Sequence, residues 1–426
     1  MYGSEALWLK FLTLLRFMVW RNSPPQVLPG ECKWHASYSL QISAIFFEAL
    51  GSLACGFYGN YVFFLFRDRH GFGNLGNLGV AALMGLVIAL ASWQGGKFAQ
   101  RRGYIRTMVS GVLGMIVALG IGAVFSSLPV QLAVMVVWAA SQFVVWPALE
   151  ALVTEGASGA ARAHLVGVYS VVWAACSALS YFFGGGLFEW LGSGSIFWLP
   201  PGLHLLQILV LWRFAGRAGK ASAARTPHHP PEAAALPAID GPIPRSFQRM
   251  AWIANPFACV AAFTLLAMIP ELARKMGLSI TMAGFFCSIW FFARLAAFVV
   301  MWRWPGWHYR FRWLLVGYIL LIVGFASVLT ADGLFWLGLG QVAFGLAVGS
   351  LYYASLFYSM DVGESRAAQG GIHEAMMGAG NLVGPGVAVL SLMIAPQSPH
   401  AGVWAVSGML VMGLAALLLT RLKNLR

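Results

Sequence analysis

Charged residues are scarce in this chain. Asp, Glu, Lys and Arg together make up only 10% of the 426 residues, whereas a soluble domain carries roughly 25%. With 59% hydrophobic residues, a water-soluble fold would expose large apolar patches and aggregate. The scarcity of charge therefore argues against a soluble protein and indicates that most of the chain lies in lipid.

Cysteine pairs and phosphate-binding loops are also lacking. The five cysteines stand singly, with no CxxC pair and no zinc-ligand spacing, so we expect small core residues at these positions. No Gly-x-x-x-x-Gly-Lys-Ser/Thr loop for a nucleotide occurs. We expect no metal, no cofactor and no enzymatic activity.

Acidic residues are few compared with basic ones, which gives a formal net charge of +13. The basic residues lie in segments between long apolar runs, where they orient membrane spans. This placement explains the charge better than binding to nucleic acid does, and we expect no nucleic-acid partner.

Twelve apolar runs, each about 17–27 residues long, have the length needed to cross ~30 Å of hydrocarbon. The sequence therefore predicts an all-α membrane protein with twelve transmembrane helices. The predicted spans are 40–66, 77–94, 107–125, 130–153, 164–187, 194–212, 250–272, 279–301, 313–330, 333–360, 370–395 and 401–421.

The distribution of Lys and Arg supports this count. With the N-terminus inside, 22 of the 27 Lys and Arg residues fall in inside segments, four in outside loops, and Arg294 alone within a span. Cytoplasmic loops carry such an excess of positive residues. We expect a multi-pass protein of the cytoplasmic (plasma or inner) membrane with both termini in the cytoplasm.

One connection, rich in Pro and including Pro227-His228-His229-Pro230-Pro231, divides the spans six and six. Arg162-Ala163 before span 5 corresponds to Arg366-Ala367 before span 11, and two such parallel repeats are typical of transporters. The predicted segments are 1–39 as an N-terminal cytoplasmic or surface segment, 40–213 as the first six-helix bundle, 214–249 as a cytoplasmic linker, 250–421 as the second six-helix bundle, and 422–426 as a cytoplasmic tail. Residues 1–39 fit either a surface helix or a dispensable stretch added by an early start codon.

The segment Gly96-Lys97-Phe98-Ala99-Gln100-Arg101-Arg102-Gly103-Tyr104-Ile105-Arg106 between spans 2 and 3 resembles the signature of the major facilitator superfamily, roughly Gly-x-Leu-Ala-Asp-Arg-x-Gly-Arg-Arg. Gln100 stands where the family usually has Asp. The resemblance implies two pseudo-symmetric six-helix bundles that rock to give alternating access. The Gly-x-x-x-Gly-Pro pattern of drug/proton antiporters is absent from span 5 and occurs in span 11 as Gly380 to Pro385, which disfavours that subgroup.

In the family, the basic segment is taken to lock one access state. The resemblance therefore implies a cytoplasmic gate, and fixing of topology alone is the alternative. His373 and Glu374 begin span 11, where a His–carboxylate pair could carry protons. We favour the alternative that Glu374 simply interacts well with the helix dipole. We expect Arg294 to snorkel or to pair with an acid such as Glu374. The gate candidates are Gly96, Gln100, Arg101, Gly103, Arg106, Glu150, Glu155, Arg162, Arg294, Asp361, Glu364, Arg366, His373 and Glu374.

Ionisable residues inside spans are costly and are usually functional or paired. Glu48 heads a stripe of small and polar residues in span 1, so it is a candidate for proton coupling, or for a carboxylate held by a fixed partner. The family resemblance implies that spans 1, 4, 7 and 10 line the path. The path candidates are Glu48, Ser52, Gln142, Trp146, Gln341, Tyr352 and Tyr353, although aromatic residues at helical spacing more often pack than bind ligands.

The main hypothesis is a monomeric secondary active transporter in the lipid bilayer that moves a small organic solute with protons as the coupling ion. A strongly charged solute is less expected, because Arg294 is the only basic residue within a span. Two alternatives remain open: a transporter-like receptor or scaffold that moves nothing, and a protein of this fold that moves lipid.

Overall fold

The chain is helical throughout the part described by the computed structural model, which comprises residues 31–154, 159–223, 242–361 and 366–423. Two one-turn 3-10 helices, Ser193–Phe197 and Pro305–Trp307, accompany the α-helices. The α-helices are α1 Glu31–His70, α2 Asn74–Arg102, α3 Tyr104–Val124, α4 Leu128–Val153, α5 Gly159–Trp190, α6 Leu199–Ala223, α7 Pro242–Lys275, α8 Ile280–Cys287, α9 Ile289–Arg303, α10 Phe311–Leu329, α11 Leu334–Asp361, α12 Arg366–Ile394 and α13 Ala401–Lys423.

Twelve helical segments in the described part are long and apolar enough to cross a membrane. The predicted all-α fold with twelve spans is therefore confirmed. The eighth span consists of α8 and α9, which are interrupted at Ser288, and the sixth includes the 3-10 turn before α6. The predicted domain boundaries stay predictions, although helical conformation continues to Ala223 and resumes at Pro242, inside the predicted linker.

The basic segment between spans 2 and 3 is helix and not a loop. We predicted that span 2 ends at residue 94, but α2 continues to Arg102 and α3 begins at Tyr104. Lys, Gln and Arg are good helix formers, and basic residues in the last turn interact favourably with the helix dipole. Only Gly103 interrupts the two helices, and its φ of 88° and ψ of 148° lie close to a backbone region that is essentially restricted to glycine.

Replacing Gly103 by Ala is expected to lower the apparent melting temperature of the purified protein by several degrees. A side chain at this backbone conformation costs about 1–3 kcal/mol. Gly120→Ala on the neighbouring helix α3 is the control, because a Cβ there meets open space and Ala is the better helix former. Equal melting temperatures for the two variants in differential scanning fluorimetry would contradict this reading of Gly103.

Two groups of helices meet at a central junction. Helices α1 to α6 pack on one another, as do α7 to α13, and the contacts between the groups are dominated by α2 with α12 and by α5 with α8 and α9. Glycines allow the α2–α12 approach, since a methyl group at Gly85 would collide with the backbone of Asn381 and Leu382. A methyl group at Gly378 would likewise collide with the backbone of Ala89. The junction is therefore formed by direct backbone contact.

The Gly-x-x-x-Gly-Pro pattern of span 11 has a packing role within the second group. A Cβ at Gly380 would strike the carbonyl of Pro256, and one at Gly384 would strike the backbone of Val260, both on α7. Small residues at a spacing of four thus let α12 lie against α7.

Candidate solute and proton site

Helix α1 places Glu48 at the junction. The side chain is only 1% exposed, and Ser52, one turn later on α1, donates a hydrogen bond of 2.5 Å to its Oε1. The Tyr169 hydroxyl of α5 lies near this carboxyl. Behind Glu48, a Cβ at Gly51 would contact Gln207 of α6, so the stripe of small residues serves close helix contact.

A second buried carboxyl, Glu150, comes from the last turn of α4. Its Oε2 atom has no hydrogen-bond partner among the described residues. Glu150 and Tyr169 line a space of about 10 Å³ together with Val153, Thr154, Val166 and Leu356, which is roughly the size of one water molecule. In this conformation the described residues therefore close around Glu150.

The second group contributes Glu374 and His373 from α12 and Tyr352 from α11. Glu374 is 1% exposed and lies near the Tyr352 hydroxyl, and its carboxyl is close enough to Glu150 and Glu48 for the three to interact electrostatically. The Oγ of Ser355 lies 3.1 Å from His373 Nδ1, and the His373 ring lies 5.2 Å from that of Tyr352. Three carboxyls from the two groups thus share one buried region.

This position contradicts our helix-dipole interpretation of His373 and Glu374. Helix α12 begins at Arg366 and has no acidic residue in its first turn. Glu374 consequently lies two turns inside the helix, beyond the reach of the unpaired amide groups that make a helix start favourable for carboxylates.

Arg294 of α9 neither snorkels to the surface nor pairs with Glu374. Its side chain is 7% exposed, and the guanidinium carbon lies 4.3 Å from the ring centre of Trp173 on α5. Phe291 and Trp290 provide two further rings at 4.8 and 5.4 Å. The Nε and Nη2 atoms have no hydrogen-bond partner among the described residues. The cation is therefore held by aromatic faces, while part of its donor capacity is unused.

The other path candidates lie at different places. Gln142 is buried, with its Oε1 unpartnered among the described residues, and Trp146 packs edge-on against Trp173 at 6.4 Å. Gln341 donates a bond of 2.9 Å to the carbonyl of Phe286 and so ties α11 to α8. The Tyr353 ring lies 5.7 Å from Phe298 and 5.9 Å from Trp307, inside the second group. The described contacts of Gln341 and Tyr353 do not include the carboxyl cluster, which consists of Glu48, Glu150 and Glu374.

Few of the gate contacts can be followed in the structure. Gln100, Arg101 and Arg106 are exposed and Gly96 is buried, while Lys97 lies 4.0 Å above the ring of Trp93. Glu155 and Glu364 lie outside the described residues, as do the side chains of Arg162, Asp361 and Arg366. The gate assigned to these residues stays a prediction.

Sequence reasoning missed Tyr169 and Trp173. Both lie on α5, four residues apart and so on one helix face, and both face the second group. Our path candidates came only from spans 1, 4 and 10, among the spans that the family resemblance implied. The available signal was the spacing of Tyr169 and Trp173 in span 5, two aromatic residues with polar groups that stand four residues apart.

At the end of the junction away from the three buried carboxyls, polar contacts join the two helical groups. Arg67 of α1 donates a bond of 2.9 Å to the carbonyl of Pro270 on α7. The Glu189 carboxylate of α5 accepts a bond of 2.7 Å from the amide of Ile280 at the start of α8, and a second from the hydroxyl of Thr281. The Glu189 contacts are exposed and the Arg67 bond is partly buried, so both can break without burying a charge.

The cluster has a definite chemical capability. No Lys or Arg of the described residues forms an ion pair with Glu48, Glu150 or Glu374. Three ionised carboxylates in one dry region would lose their hydration and repel one another, and each proton bound removes part of that cost. Rearrangement of the junction would change this cost.

Twelve helical segments of the described part are long and apolar enough to cross a membrane, and a polar cluster is buried between two helical groups, an architecture that membrane transporters use. The sequence profile of the Major Facilitator Superfamily matches residues 49–385. The chain belongs to this superfamily, as the segment around Gly103 suggested.

Solved structures of transporters share the fold. The human organic anion transporter MFSD10 (TETRAN) matches with a TM-score of 0.64 and 16% identity, over 89% of this chain and 99% of that one. The peptide transporter POT gives 0.67 and 13%, over 90% and 94%, and the nucleoside transporter NupG gives 0.63 and 12%, over 89% and 98%. Comparison with curated protein sequences finds no match.

Proposed function

We propose that this protein is a secondary active transporter that moves a small organic solute by alternating access and couples the movement to protons. The carboxyls of Glu48, Glu150 and Glu374 are the proton carriers, and Tyr169 and Tyr352 are their neighbours. The observation that carries the proposal is the burial of three carboxyls, without basic partners among the described residues, between two helical groups.

The placement of these carboxyls supports coupling for a physical reason. Glu48 and Glu150 belong to the first group and Glu374 to the second, so rocking of the groups changes the separation between the carboxyls. Repulsion and desolvation then differ between the access states, and a proton bound at the cluster favours one state over the other. A solute that also binds at the junction shares the same conformational equilibrium.

Orientation and assembly belong to the same proposal. We place both termini in the cytoplasm of a plasma or inner membrane, because the excess of Lys and Arg then lies on the cytoplasmic side. The basic segment around Gly103 serves the cytoplasmic gate, and a monomer is the transporting unit.

Transport is tested with the purified full-length protein in proteoliposomes. A panel of radiolabelled organic acids, nucleosides and peptides is offered under an imposed pH gradient, with protein-free liposomes as the control. We expect accumulation of at least one solute class, and its loss when a protonophore collapses the gradient. Accumulation that is indifferent to the protonophore would reject proton coupling.

The alternatives give different results in the same liposomes. A lipid-moving protein would scramble fluorescently labelled phospholipid between the leaflets without solute flux. A receptor or scaffold would show neither activity. Either result would reject the solute transporter.

A further inference from the structure

The surroundings of Arg294 suit a residue that binds a ligand better than a residue that only stabilises the fold. It is buried, its guanidinium lies against three aromatic rings, and two of its nitrogen atoms are unpartnered among the described residues. A buried cation is expensive unless it is paired and hydrogen-bonded. Cation–π contact offsets part of this cost, about 2 kcal/mol or more where the pair is desolvated, but leaves the N–H donors unused.

Arg294 also lies where the two helical groups meet. Its backbone packs closely against Gly349 of α11, while its guanidinium reaches across the junction to Trp173 of the first group. Tyr352 stacks on Trp173 at 4.9 Å and on Phe298 at 5.7 Å, so a stack of aromatic rings leads from Arg294 towards Glu374. A structural cation would be neutralised by a carboxylate, and although three carboxyls lie in the same junction, none forms an ion pair with it.

We propose that Arg294 and the rings around it form the anion-binding part of the solute site, and that the transported solute is a small organic monoanion with a flat, conjugated body. This inference rests on the proposed transport function. The guanidinium edge donates to the anionic group, in the bidentate manner that arginine uses for carboxylates. Trp173 and Tyr352, which stack on each other in this closed conformation, take up the flat body when the junction opens. One arginine neutralises one negative charge, which excludes multivalent anions.

The charge on the carboxyl cluster also affects binding of the anion. An anion that enters beside ionised Glu374 and Glu150 is repelled, and protons bound at these carboxyls remove the repulsion. Anion and proton thus stabilise each other at the junction, which is a coupling free energy between two sites. The inferred transport mode is symport of the monoanion with at least one proton.

Direct binding to the purified full-length protein tests the inference. Isothermal titration calorimetry is used to measure binding of benzoate and indole-3-acetate, and of their uncharged primary amides. We expect saturable binding of the acids and at least about tenfold weaker binding of the amides, since a hydrogen bond to a charged group contributes about 1.5–3 kcal/mol.

Variants assign the binding to this residue. Arg294→Gln is expected to weaken binding of the acids at least about tenfold, and Arg294→Lys, which keeps the charge, to recover part of it. Arg310→Gln is the control, since Arg310 is an exposed arginine of the same group. A single symmetric peak in size-exclusion chromatography establishes that each variant is folded. Equal affinities for acids and amides, or wild-type affinity in folded Arg294→Gln, would overturn the anion site.

The two proposals fail in distinguishable ways. Arginine-dependent binding of acids without flux in proteoliposomes would refute transport and leave the anion site standing. Proton-driven flux of an uncharged solute that is unaffected by Arg294→Gln would refute the anion site and leave transport standing.

Discussion

Replacing Glu374 by Gln is expected to lower the ratio of proton-driven accumulation to solute exchange at least about tenfold, which corresponds to ~1.4 kcal/mol of lost coupling. Glutamine keeps the size of the side chain and can hydrogen-bond the nearby Tyr352 hydroxyl, but it cannot gain or lose a proton. Glu374 has the strongest claim among the three carboxyls, because it interacts with both Glu150 and Glu48 across the junction.

The measurement compares two assays on the same proteoliposomes. Accumulation is driven by an imposed pH gradient, and exchange is followed as counterflow at equal pH. Glu271→Gln is the matched control, since Glu271 lies at the opposite end of the junction and is paired with Arg274 at the surface. If Glu374→Gln retains the wild-type ratio, Glu374 is not a proton carrier.

Replacing Gly85 by Val is expected to separate α2 from α12. The protein would then shift away from the closed state, the conformation in which these two helices pack together. The added side chain would collide with the backbone of Asn381 and Leu382, and backbone atoms cannot move aside as a flexible side chain can. Overpacking of this kind costs about 1–3 kcal/mol. Since two access states differ by only a few kcal/mol, the closed state would lose most of its population.

Pulsed electron paramagnetic resonance measures the separation. Spin labels at Phe98 and Ile372, which are exposed near the same end of α2 and α12, should move apart by several ångströms in Gly85→Val. Gly79→Val on the same helix is the control, because a Cβ at Gly79 meets open space. An unchanged distance in Gly85→Val would mean that the α2–α12 contact does not define the closed state.

The spans were predictable because bilayer thickness imposes a length and an apolar composition on each of them locally. The ends of the helices were less predictable. The segment from Lys97 to Arg102 was assigned to the connection between spans 2 and 3, although helix formers at the end of a span continue the helix beyond the hydrocarbon. The break at Gly103 is local, and the glycine in the motif indicated it.

The candidate site was predictable only in part, because its geometry depends on contacts between distant segments. Glu48 and Glu150 were identifiable as ionisable residues inside spans. The role of Glu374 depends on where α12 begins and on the packing of α12 against α2 and α4, neither of which its neighbours in the sequence determine. The environment of Arg294 includes Trp173, a residue of the other helical group, so the sequence around Arg294 suggested an ion pair that the fold does not form.

The most direct test of proton coupling follows solute and proton together. Purified protein is reconstituted into liposomes that contain a pH-sensitive dye, with equal pH on both sides, and an accepted organic acid is added outside. Proton coupling predicts that the lumen acidifies as solute enters, faster than in protein-free liposomes, where the acid crosses the bilayer only as its neutral form, and that this difference disappears with Glu374→Gln. Inward solute flux with no change in lumenal pH would contradict it.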